Sequence, residues 1–168
     1  MSVLEILTHP DERLNQVSTP VEVFDADLQQ RIADLEDTRL DGPGAVGIAA
    51  PQVSWFERVV IVDVSGRKKN RNHGYMVLVN PEITKWEGYA VGREGCLSVP
   101  DYTGNVIRAE KISLLAYDPQ GGKMEFEMDG FEARAVQHEM DHLDGMLFLD
   151  RLVSRRQDLF RRKVYKGK

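Results

Sequence analysis

Phe131-Glu132-Ala133-Arg134-Ala135-Val136-Gln137-His138-Glu139-Met140-Asp141-His142-Leu143-Asp144-Gly145 is the stretch that decides how this chain reads. Its spacing predicts a helix from about Phe131 to Leu143, with Phe131, Ala135, His138 and His142 on one stripe. Gly145 is the expected C-terminal stop. Residues four apart share a helix face, so His138 and His142 can bind one metal ion. Glu139 lies between them and can touch water on that ion. What supplies a third ligand then decides the function.

Four sources can be checked. A histidine six residues beyond His142 would make a metzincin-type protease, but Phe148 stands there. A glutamate from a later helix would make a thermolysin-type site, but no glutamate follows Glu139. Asp150 and Asp158 remain, in no known pattern. The last source is the only cysteine, in Glu94-Gly95-Cys96-Leu97-Ser98. Its thiolate would be a good soft ligand for zinc or ferrous iron.

Working outward, 168 residues with 42% hydrophobic and 29% charged content fit one globular domain, 1–168, with a sizeable core. No apolar run reaches the roughly 18 residues of a membrane helix. Met1-Ser2-Val3-Leu4-Glu5 lacks the basic start of a secretory signal. One cysteine forms no internal disulfide, which suits a reducing, cytoplasmic setting. The net charge of -5 is polarised: residues 151–168 carry eight bases against Asp158, or +7, which leaves -12 for the rest. That body excludes non-specific binding to nucleic acid, and no specific DNA binding is expected; only the tail could meet phosphates.

Asp25 to Leu40 predicts a helix with Leu28, Ile32 and Leu35 on one face, capped by Asp25 and stopped at Gly42-Pro43-Gly44. Arg58 to Val64 and Tyr75 to Asn80 read as strands, the second ended by Pro81. Residues 66–74 read as a polar loop. Val106 to Asp118 reads as a strand that turns at Pro119-Gln120-Gly121-Gly122 into Lys123–Asp129. Ser154 and Gln157 form a capping box for a final basic helix within 151–168. Separated runs of strands and helices imply an α+β fold: antiparallel strands around a central metal-binding helix, with a C-terminal helix. His9 and His73 read as surface histidines.

The spacing as a whole resembles the peptide deformylase family. Gln137 to Gly145 and Glu94 to Ser98 match two of its motifs. Ala45-Val46-Gly47-Ile48-Ala49-Ala50-Pro51-Gln52 matches a third, and the three stand in family order. His9-Pro10-Asp11-Glu12-Arg13-Leu14 also resembles the family's opening, so the likeness spans essentially the whole chain.

The resemblance implies an enzyme that removes the formyl group from the N-terminal formyl-methionine of nascent polypeptides and releases formate. It implies one divalent metal ion held by Cys96, His138 and His142, ferrous iron in the native form, with zinc, nickel or cobalt as substitutes. Glu139 would move protons, and the Gln52 amide and the Leu97 N–H would donate to the oxyanion. Val46, Phe131 and Ala135 would hold the methionine. Gly47 and Gly95 would leave room for the substrate backbone. Glu94 and Arg108 would pair beneath the site. The family's C-terminal helix implies the ribosome as a partner of the basic tail. Ala45 departs from the motif, which has glycine there. If the position needs a positive φ, the alanine costs something and narrows the entrance.

Overall fold

The computed structural model describes residues 2–66 and 71–162. Its first helix, α1 (Ala26–Asp41), is capped by Asp25, whose carboxylate accepts from the Leu28 N–H at 3.0 Å. Leu28, Ile32 and Leu35 are its buried stripe, and Gly42 closes it.

Eight strands follow: β1 (Gly47–Ala49), β2 (Val59–Val62), β3 (Met76–Glu87), β4 (Ala90–Cys96), β5 (Val99–Arg108), β6 (Lys111–Tyr117), β7 (Lys123–Asp129) and β8 (Leu159–Arg161). Two helices complete the list, α2 (Gly130–Leu143) and α3 (Arg155–Asp158). One antiparallel sheet has the order β1-β2-β3-β6-β7, and a second has the order β4-β5-β8.

Strand β2 shows why its run is uniformly apolar. Side chains alternate across a strand. Val59 and Ile61 pack with Leu28, Ile32 and Leu35 of α1, while Val60 and Val62 pack with Val136, Met140 and Leu143 of α2. The larger sheet is therefore covered on both faces. A third cluster joins Cys96, Val99 and Val106 of β4 and β5 to Leu147, Phe148 and Leu149.

Three expectations need correction. Pro81 does not end its strand, because β3 runs on to Glu87. The ladder with β6 shifts register between Val79 and Glu82, and Asn80 takes φ +49. Pro81 thus sits in a bulge, where no ladder N–H is required.

The segment Val106 to Asp118 is not one strand. It breaks at Ala109-Glu110, where the chain passes from the smaller sheet to the larger. Gln137 of α2 makes the break tolerable. Its amide accepts from the Ala109 N–H at 3.0 Å and donates to the Ala109 carbonyl at 2.9 Å.

The C-terminal helix begins at its capping residue, Ser154, which accepts from the Gln157 N–H at 3.2 Å. It lasts only from Arg155 to Asp158, and then the chain becomes β8 against β5, with Thr103 opposite Phe160. A single turn is a weak structure alone, whereas the open edge of β5 offers backbone partners. The final basic helix expected within 151–168 is thus present but short, and as far as Arg162 the segment is 3-10 turn, one helical turn and strand. Residues 163–168 and residues 67–70 of the polar loop lie outside the described residues. His73 is a surface side chain, as expected, and its Nδ1 lies 2.6 Å from the buried Glu132 carboxylate.

Candidate metal centre

Helix α2 presents His138 and His142 on adjacent turns, with ring centroids 5.4 Å apart. Gly145 lets the chain leave directly after the helix. Its φ is +74, and a Cβ there would lie 2.3 Å from the Asn15 carbonyl oxygen. Cys96 arrives from β4, where the ladder with β5 shifts register between Glu94 and Cys96. The ligand atoms of Cys96, His138 and His142 all lie within 4.8 Å of one another. The Cys96 Sγ to His142 Nε2 distance is 3.4 Å.

Behind α2 lies a buried ion-pair network. The Glu94 carboxylate accepts from Arg108 at 2.8 and 2.9 Å, from Arg134 at 2.7 Å, and faces His138 Nδ1 at 2.8 Å. Arg108 also pairs with Asp141, which accepts from Arg151 at 2.9 Å. A carboxylate on Nδ1 fixes the imidazole and leaves Nε2 free for a metal. Burial would raise the Glu94 pKa, but its bonds to Arg108 and His138 outweigh that and hold it far below the ordinary carboxyl range.

In front of α2 the pattern reverses. Burial pushes the Glu139 carboxyl up to about 7, and its Oε1 has no hydrogen-bond partner among the described residues. Burial and the neighbouring His138 push His142 well below its usual value, and its Nδ1 is also unpartnered among them. Burial opposes charge on His138, yet Glu139, Cys96 and Glu94 raise its pKa well above the usual value. Surroundings that hold a proton on His138 would equally hold a cation. One thiolate and two imidazoles suit zinc or ferrous iron, so the residues fit a divalent ion.

Gln52 sits in a 3-10 turn, Ala50–Val53. Its Oε1 accepts from the Ala49 N–H at 2.9 Å, which turns its Nε2 toward Ser98 Oγ at 3.0 Å and Cys96 Sγ at 3.6 Å. Gly47 is forced by Glu139: a Cβ there would lie 2.7 Å from the carboxylate. Ala45 is not among the residues with positive φ; its N–H donates to the Gly42 carbonyl. The feared conformational cost is absent.

A cavity of about 500 Å³ opens over the cluster. Val46, Gly47, Phe131 and Ala135 line it beside Gln52, Gly95, Cys96, Leu97, His138 and Glu139. All the residues expected at the site come together, with Arg108 beneath it. Ser98, Arg134, Asp141 and Arg151 were missed. Their partners lie 10 to 46 positions away in sequence, so no local pattern could reveal them.

The sequence model described as polypeptide deformylase matches residues 3–158. This chain belongs to the polypeptide deformylase family. It is 44% identical over 166 residues to the peptide deformylase of Chromobacterium violaceum, across 99% of this chain and 96% of that one. Among solved structures, the Legionella pneumophila peptide deformylase superposes with a TM-score of 0.84 at 42% identity, covering 93% of this chain and 89% of that one. A class I type b peptide deformylase of Acinetobacter baumannii, solved with Met-Ala-Ser bound, gives 0.83 at 38%, covering 90% and 100%. The deformylase fold thus extends over nearly the whole chain.

Proposed function

We propose that the protein hydrolyses the N-formyl group of formyl-methionyl polypeptides as they are made, releasing formate. The convergence of Cys96, His138 and His142 beside Glu139, whose Oε1 has no partner among the described residues, carries this reading. A bound divalent ion would supply Lewis acidity, lowering the pKa of water and polarising the formyl carbonyl. We assign ferrous iron to the native form, with zinc, nickel or cobalt able to replace it.

The chain's own residues then have distinct tasks. Glu139 takes the proton of the attacking water and passes it to the departing amine. A pKa near neutrality suits a group that must both accept and release a proton, although a nearby cation would lower it. The Gln52 Nε2 and the Leu97 N–H donate to the developing oxyanion. Val46, Phe131, Ala135 and the flank of His138 enclose an unbranched apolar side chain such as methionine. Gly47 and Gly95 line the cavity, and their backbone groups would pair with the peptide as with an added strand.

The site would work in the cytoplasm on emerging chains. No helix among the described residues is long and apolar enough to cross a membrane. Arg155, Arg156 and Arg161 are exposed, and with the rest of the basic tail they would meet ribosomal phosphates.

The test is formate release from formyl-Met-Ala-Ser by anaerobically purified protein, against amino-acid release from unformylated Met-Ala-Ser. Formate from the first and nothing from the second is expected. Cleavage of the unformylated peptide would make the protein a metallopeptidase instead.

A further inference from the structure

The outer wall of the cavity includes a cation delivered by the C-terminal strand. The Arg162 N–H donates to the Asp101 carbonyl at 2.8 Å and so extends the β5–β8 pairing. Its guanidinium lies over Gly95: a Cβ built on that glycine would meet Nη2 at 2.7 Å. Arg162 therefore stands beside the residue that precedes Cys96, and it lines the same cavity as Pro100 and Thr103.

The strand that carries it is pinned. Arg93 of β4 lies over the Phe160 ring, with Cζ 3.8 Å from the centroid. Arg93 is itself held by Asn105 at 3.1 Å and Thr103 at 3.4 Å. Residues two apart on a strand point to one side, so the side chains of Phe160 and Arg162 reach β4 together. Arg108, Arg134 and Arg151 are tied to Glu94 or Asp141. Arg162 is exposed, and among the described residues it forms no ion pair. An arginine with its fork free at the mouth of a mostly apolar cavity presents a ready carboxylate partner.

We infer that Arg162 is a specificity-determining residue, recognising a carboxylate one or two residues beyond the methionine of the substrate. This rests on the deformylase reading above. The carboxylate is either an acidic side chain or the free C-terminus of a short peptide. Gly95 is part of the device, because any side chain there would displace the guanidinium.

The experiment uses the full chain loaded with nickel. Formyl-Met-Asp-Ser-amide and formyl-Met-Ser-Asp-amide are compared with their Asn counterparts, and formyl-Met-Ala as free acid with its amide. An exposed charge pair is worth up to about fivefold, and the difference should lie in KM rather than kcat. Arg162→Ala should bring the acid-to-amide ratio to about one, and Arg162→Lys should keep part of it. If the acidic peptides show no advantage at either position, or if Arg162→Ala preserves it, the assignment falls. Calorimetric binding of Met-Asp-Ser-amide against Met-Asn-Ser-amide reads the same arginine without turnover. Tighter, Arg162-dependent binding in a protein that releases no formate would overturn the proposed reaction and uphold the recognition. Equal binding of the two peptides would overturn the recognition.

Discussion

Glu94 behind helix α2 and Glu139 in front of it are almost equally buried, at 7% and 5% exposure, yet they are treated in opposite ways. Glu94 is surrounded by Arg108, Arg134 and His138 and stays ionised far into acid. Glu139 keeps one oxygen without a partner among the described residues, and its pKa rises to about 7. Burial penalises charge on both, and the partners decide the outcome. The rear region is a scaffold that fixes His138, a ligand in the proposed site, and the front region is left able to exchange protons. A site divided in this way should break differently on its two sides.

The largest break is at the metal. Cys96→Ala removes the only thiol from the three side chains proposed to hold the ion. The variant should remain folded by circular dichroism while metal content, measured by atomic emission, falls close to zero. Full occupancy in that variant would show that Cys96 is no ligand. Next comes Glu139→Gln, which keeps the volume and should keep the metal. Turnover on formyl peptides should fall by about 100-fold or more. Near-normal turnover with metal bound would remove the general acid/base role from Glu139.

Glu94→Gln probes the rear. It takes one carboxylate from a network that also contains Asp141, and it leaves Arg108 and Arg134 underpaired. Breaking a buried pair costs about 3 kcal/mol, and loosening His138 should weaken metal binding about tenfold. The pH dependence follows from the depressed pKa. Above the ordinary carboxyl value of 4.5 the group is ionised both folded and unfolded, and its contribution is complete. As the pH falls below that value, the unfolded chain takes up a proton that the folded chain refuses, so stability is lost. Urea midpoints from pH 6 to pH 3 should therefore fall less steeply in the variant. Parallel curves would mean that Glu94 does not stay ionised in the fold.

The front of the site was far more legible in the sequence than the rear. His138, Glu139 and His142 lie within one helical turn, so a 3.6-residue period reveals them. Gln52 was found only through resemblance, since nothing local marks a lone amide, whereas Cys96 was reached as the one soft donor left for a third ligand and its role was then implied by the resemblance. The rear rests on Arg134, Asp141 and Arg151, whose partners are brought near only by the packing of α2 against β4 and β5. Strand β4 also escaped: two glycines and two charges in Ala90–Cys96 hide its alternation. The break at Ala109-Glu110 is invisible for another reason. The apolar pattern continues through it, and the side chain that satisfies it, Gln137, is 28 residues away. The final helix starts where its cap predicts but lasts one turn, because a capping box marks where a helix starts and says nothing about what competes for the following residues.

The smallest expected effect lies where the two regions meet, at Ser98. Its side chain is fully buried, and its hydroxyl accepts from Gln52 Nε2 at 3.0 Å. The Ala49 N–H holds the other end of the same amide at 2.9 Å. Gln52 is thus held at both ends, and in the proposed mechanism Ser98 would act on the reaction only by aiming it. Ser98→Ala removes a hydrogen bond worth about 1 kcal/mol, so kcat should drop about fivefold with metal content unchanged. A general loosening of the fold could give the same drop, and a double-mutant cycle separates the two. In a Gln52→Leu background there is no amide left to aim. There, Ser98→Ala should change kcat by less than about twofold, although Gln52→Leu alone should cost about 100-fold. An undiminished fivefold loss in that background would show that Ser98 supports Cys96 or the turn after it, and not the oxyanion donor.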